Sequence, residues 1–151
     1  MLLCNIRKII VENSQPAKLI EAIKKLNSRP RCFFELRFEE SKLFLGKIII
    51  ELYSDIAPKT CANFLAYCLG TNNGLCYKNT LFYKIISGYL CQGGDVIKLN
   101  GTGSTSIYDE TEFECENFNL KHDVPGILST AFSTDNTANS KFNLTFKNYK
   151  F

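Results

Sequence analysis

Apolar and polar positions along this chain change period several times, and each change marks an element. Residues 2–11, "LLCNIRKIIV", alternate well enough for a strand. "SQPAKLIEAIKKLNS" follows with helical spacing: Leu19, Ile20, Ile23 and Leu26 share one face. Ser14 is placed to cap that helix, Pro16 is tolerated in its first turn, and Asn27 with Pro30 closes it. "RCFFELRF" and "LGKIIIEL" predict two strands joined by the charged turn "EESK". "APKTCANFLAYC" predicts a second helix, with Pro58 near its start and Cys61, Phe64, Leu65 and Cys68 as its buried stripe. "LFYKII" and "YLCQGGDV" predict a strand pair around a Ser-Gly turn, and "GILSTAF" and "KFNLTFK" predict the last strands. Between them, residues 98–126 are rich in glycine and polar side chains and show no period. Roughly six or seven short strands and two helices predict a mainly β barrel or sandwich with capping helices.

Composition narrows this picture. The 151 residues suit one domain, and 45% hydrophobic content allows a core. The net charge of +3 is scattered, so no basic tract points to nucleic acid. No apolar run reaches the ~20 residues of a membrane span. Asn5, Arg7 and Lys8 interrupt the opening segment, which makes a poor signal peptide. The expectation is an intracellular, cytoplasmic protein with neither nucleic acid nor membrane as partner. The seven cysteines include no C-x-x-C pair, and His122 is the single histidine. Without ligands clustered at short spacing no metal site is expected, and the thiols read as small buried hydrophobes.

The stretch "FYKIISGYLCQGGDVIKLNGTG" (82–103) carries the densest signal. A phosphate cradle, a plain hairpin and a peptide-binding wall all fit its glycines. A phosphate cradle needs a helix starting directly after the glycines, and no helical period follows Gly94 or Gly103. Taken with "GKIIIELYSDIAPKTCANF", "NGTGSTSIYDETEFECENFNLKH" and "PGILSTA", the chain from about Phe33 to Phe142 resembles the cyclophilins, the peptidyl-prolyl cis–trans isomerases. The resemblance implies an antiparallel β-barrel closed at each end by a helix, with a substrate groove on its outer face.

What the resemblance implies for the site can be followed residue by residue. Lys84 stands where the family has the arginine that donates to the prolyl nitrogen; it keeps the charge but loses the planar fork. Gln92 matches the glutamine that hydrogen-bonds substrate. These two are the expected catalytic groups. Tyr89 and Leu90 match groove-lining phenylalanine and methionine positions, and Gly101 lines the neighbouring loop. Ala131, Phe132 and Ser133 lie on the segment that runs along a bound peptide, Phe132 replacing an asparagine. Lys141 replaces a glutamine, and Asn143 replaces the phenylalanine that floors the proline pocket. Read without the resemblance, Lys84 is a solvated strand lysine, Gln92 a surface amide, and Tyr89 and Leu90 ordinary packing.

Beyond Phe151 the resemblance calls for a further loop, strand, helix and closing strand, so the expected barrel is incomplete at its C-terminus. Residues 1–30 form an expected strand–helix extension ahead of a cyclophilin-like domain at 31–151. Its apolar spacing resembles the family's C-terminal strand and helix, for which it could substitute; the alternative reading is an unrelated N-terminal appendage. The expected function is isomerisation of X–Pro bonds in unfolded or flexible polypeptides, without a cofactor. The alternative is a cyclophilin-like module that binds proline-bearing segments with little turnover. The chain has no tryptophan, the family's contact for cyclosporin-type ligands, so such ligands are expected to bind weakly.

Overall fold

The computed structural model describes residues 2–4, 15–26, 28–70, 73–108, 111–132 and 135–148. It is mainly β, with nine short strands and two helices among the described residues. The chain divides into two compact units, Met1–Thr80 and Leu81–Phe151.

The first unit contains β1 (Leu2–Cys4), α1 (Pro16–Lys24), β2 (Arg31–Arg37), β3 (Phe44–Glu51) and α2 (Pro58–Leu69). The three strands form an antiparallel sheet in the order β1-β2-β3. Alternation in β2 turns Cys32 and Phe34 inward, both buried, while Arg31 and Glu35 face out. Those two carry cross-strand ion pairs with their register partners, Arg31 with Glu51 at 2.7 Å and Glu35 with Lys47 at 3.5 Å. α2 opens on Pro58, whose missing N–H costs nothing in a first turn, and stops at Gly70, left-handed at φ +71°. Every residue from Cys61 to Cys68 is buried, so this helix is enclosed all round and not along one stripe.

Phe34, Phe64, Tyr77 and Tyr67 form the aromatic centre, with ring centroids of successive pairs 5.1–5.8 Å apart. α1 packs against α2, with Leu19 and Ile23 buried. The helix is shorter than its apolar period. It ends at Lys24, so Leu26 lies beyond it and is exposed. The expected Ser14 cap lies outside the described residues; Gln15 occupies the cap position and makes no side-chain bond there.

The second unit contains β4 (Lys84–Ile86), β5 (Leu90–Gly93), β6 (Phe113–Glu114), β7 (Leu128–Thr130), β8 (Thr137–Ala138) and β9 (Phe142–Thr145). Its larger sheet runs β4-β5-β9-β7, all antiparallel, and β6 pairs with β8. Phe142 is 1% exposed and meets Phe82 edge-on at 5.9 Å; with Cys91 and Leu144 it forms the buried side of the sheet. Among its described residues the aperiodic passage contributes only β6, because its backbone is satisfied by side chains more than by strand partners. Six described cysteines remain thiols, and four of them, Cys32, Cys61, Cys68 and Cys91, are buried.

Candidate functional site

Register sets the site. Lys84 on β4 pairs with Gln92 on β5, Gln92 with Asn143 on β9, and Asn143 with Ser129 on β7. Cross-strand partners project to the same side of a sheet. Four polar residues from four strands therefore make one row, while their neighbours Cys91 and Leu144 turn to the core. The Gln92 amide Nε2 donates to Asn143 Oδ1 at 2.8 Å. That bond uses the Gln92 side-chain N–H as donor and leaves Oε1 as the acceptor of the amide. At the β7 end, Ser129 Oγ lies 2.8 Å from His122 Nε2. Burial lowers the His122 pKa, which favours the neutral imidazole there. Lys84 is exposed at the other end, with no ion pair among the described residues.

The turn after β5 and the loop that follows depend on one carboxylate. Asp95 is 0% exposed. Its Oδ1 accepts the backbone N–H groups of Ile97 (3.0 Å) and Lys98 (2.8 Å). Its Oδ2 accepts those of Asn100 (3.2 Å), Gly101 (2.8 Å) and Gly103 (3.0 Å). Burial alone would raise its pKa, but the backbone donors outweigh it and bring the value down to about 2. The glycines in this stretch are required by that arrangement. Gly94 has φ +87°, and a Cβ there would sit 2.4 Å from the Ser140 carbonyl oxygen. Gly101 has φ +91° and lies against the Tyr83 ring, which a Cβ would meet at 2.6 Å. Neither position admits a larger residue without backbone movement.

Lys141 links this loop to the row. It precedes β9 by one residue and shares the parity of Asn143, so it stands on the same side. Its Nζ donates to the Gly101 carbonyl at 3.2 Å. The ladder continues past β7, where the Ala131 N–H donates to the Lys141 carbonyl at 2.9 Å. Phe132 follows, 53% exposed, its ring edge-on to Phe118 at 6.0 Å. Ser133 lies outside the described residues. Tyr89 sits in the β4–β5 turn, with the Lys147 ammonium 5.4 Å from its ring centroid. Leu90 pairs with Thr145 at the start of β5.

The structure thus brings Lys84, Gln92 and Asn143 into one row, with Lys141 and Ala131 continuing it and Gly101 tied to Lys141. It sets Tyr89 and Leu90 at the turn end. Sequence reasoning missed Asp95. The available signal was an aspartate directly after "QGG" with glycines six and eight residues on, since a carboxylate serving a loop needs backbone that can close around it. Glu112 was missed as well: it accepts from Ser104 Oγ and Asn139 Nδ2, both at 3.0 Å, and from the Thr137 hydroxyl. It thereby joins the long loop to β8. No group of three or more His, Cys, Asp or Glu side chains able to hold a metal occurs among the described residues.

Comparison with known proteins identifies the class to which this chain belongs. The family described as "Cyclophilin type peptidyl-prolyl cis-trans isomerase/CLD" matches residues 34–151. The chain belongs to that family. It is 44% identical over 120 residues to the E3 SUMO-protein ligase RanBP2 of Homo sapiens, and equally so to that of Pan troglodytes; the match covers 80% of this chain and 4% of each relative. It is also 44% identical over 123 residues to peptidyl-prolyl cis-trans isomerase D of Kluyveromyces lactis, covering 76% of this chain and 32% of that protein. The chain therefore spans a small part of the curated relatives it matches.

Proposed function

We propose that this cyclophilin domain binds proline-containing polypeptide across the Lys84–Gln92–Asn143 row and isomerises the X–Pro bond there. Amide resonance sets a rotation barrier of roughly 18–20 kcal/mol. No nucleophile is needed to lower it. As the bond twists, resonance is lost and the prolyl nitrogen gains a lone pair, so a donor aimed at that nitrogen acts mainly in the twisted state. Lys84 supplies the donor, exposed and charged. Gln92, held by Asn143, offers its carbonyl to a substrate N–H, and Ala131 offers backbone on the far strand. The observation that carries this reading is the single-sided register of Lys84, Gln92 and Asn143 across three adjacent strands.

One observation favours a second reading, a binding module with little turnover. The Asn143 amide occupies the middle of the row and engages Gln92. A polar floor gives up apolar contact with a prolyl ring.

Exchange NMR on an X–Pro peptide separates the two. The isomerase reading expects faster cis–trans exchange with the protein, and a further increase of about tenfold in Lys84→Arg with Asn143→Phe, the equivalent of about 1.4 kcal/mol of barrier. Shifted peptide resonances without faster exchange, in both wild type and double variant, would overturn it in favour of the module.

A further inference from the structure

We propose that the groove of this domain selects proline segments flanked by acidic side chains, with Lys84 and Lys141 as the residues that set the preference. The inference rests on reading the polar row as the prolyl site. Lys84 and Asn143 are two strands apart, about 10 Å at the usual interstrand spacing, and Lys141 lies one same-side step further along β9. Two ammonium groups therefore flank the Gln92–Asn143 pair on one side of the sheet.

Two carboxylates of this unit, Asp95 and Glu112, are engaged by the protein's own donors. Asp95 is fully buried and engaged by five backbone N–H groups. Glu112 is half-buried, with Ser104, Thr137 and Asn139 on its oxygens. The Thr137 hydroxyl, against the opposing effect of burial, then Asn139, Ser104 and the Lys141 charge hold its pKa below the usual range. Glu112 thus offsets part of the Lys141 charge, whereas Lys84 has no ion pair among the described residues. Lys141 is also held in place, its Nζ on the carbonyl of a loop that Asp95 fixes. A pre-positioned cation loses little side-chain freedom when a carboxylate arrives. A basic residue beside the substrate proline meets like charge at both points, and an acidic one is attracted at both.

The test compares three peptides that differ only beside the proline, bearing Glu, Gln or Lys. Exchange rates are measured by NMR, and affinity by resonance shifts on titration. Each exposed charge pair is expected to contribute about two- to fivefold, so the Glu peptide should exceed the Lys peptide by about tenfold overall. The ratio should shrink in about 0.5 M salt, where screening is strong. Lys84→Gln and Lys141→Gln should each lower the ratio two- to fivefold, Lys84→Gln the more. Lys18→Gln, an exposed position on α1 that removes the same net charge, should leave it unchanged. Because the readout is a ratio, a general loss of rate in Lys84→Gln does not disturb it.

A Glu-to-Lys ratio near one, or one that Lys18→Gln lowers as much as Lys84→Gln does, overturns the preference. Faster exchange of the Gln peptide with a flat ratio sinks the acid preference and leaves the prolyl site standing. If no peptide exchanges faster, the isomerase reading falls and the affinity ratio decides the preference alone. Absence of binding overturns both.

Discussion

The two compact units are held together by different means. The first is centred on rings: Phe34, Phe64, Tyr67 and Tyr77 pack about an enclosed helix. The second has an apolar side on its sheet, but its loops are organised by two carboxylates, Asp95 and Glu112, that gather donors from distant positions. Apolar burial is non-directional and tolerates modest reshaping of its contents. A carboxylate that accepts five backbone N–H groups fixes direction as well as position, and it fails as a unit if the charge is lost. The region proposed to present donors and acceptors to a polypeptide uses the directional device.

The comparison can be broken at graded points. The largest expected loss is from Phe34→Ala, which empties a fully buried ring site between Phe64 and Tyr77. Such truncations cost about 3–5 kcal/mol, measurable by urea denaturation, and a cost below about 1 kcal/mol would show that the ring cluster is not the centre of the first unit. Asp95→Asn comes next. The folded-state pKa of about 2 lies below the ordinary 3.8, so the charged form stabilises the fold by about 2 kcal/mol. That contribution is fully present above pH ~4 and lost as pH falls through ~2. An acid titration of wild-type stability should show this loss, and Asp95→Asn should flatten it. Equal acid sensitivity in the two proteins would remove Asp95 from its organising role.

Gly101→Ala should cost about 1–3 kcal/mol, since φ +91° and the Tyr83 ring both oppose a side chain. It should also raise KM for a prolyl peptide, because the Gly101 carbonyl holds Lys141. Unchanged stability and KM would show a loop that adjusts freely. The smallest effect is expected from Asp55→Ala. Arg29 holds Asp55 through two bonds of 2.7 and 2.8 Å, but both side chains are solvent-accessible and water screens the pair. Denaturation midpoints of variant and wild type should nearly coincide, and a large shift would show that the first unit depends on ion pairs as the second depends on carboxylates.

Much of the fold could be read from single stretches. Pro58 and the spacing of Cys61, Phe64, Leu65 and Cys68 located α2, since a proline in the first turn and a helical period are local facts. "YKIISGYLCQGG" located the β4–β5 pair for the same reason, and the likeness of its sequence to the cyclophilins pointed to Lys84, Gln92 and Asn143. The aperiodic passage resisted reading because its order comes from Asp95 and Glu112, whose partners lie up to 27 residues away. The early end of α1 at Lys24 was also unreadable, since an apolar period runs on past the point where backbone hydrogen bonding stops.

Taken alone, the sequence determined the β-rich class and both helices, because period and residue chemistry are properties of neighbours along the chain; the polar residues of the proposed prolyl row came from its likeness to the cyclophilins. Only the tertiary structure decided that Lys84, Gln92, Asn143 and Ser129 share a row, that Gln92 is held by Asn143, and that one buried aspartate shapes the loop above Lys141. Strand register and the convergence of backbone N–H groups on a carboxylate arise between segments far apart in sequence. No local pattern encodes them.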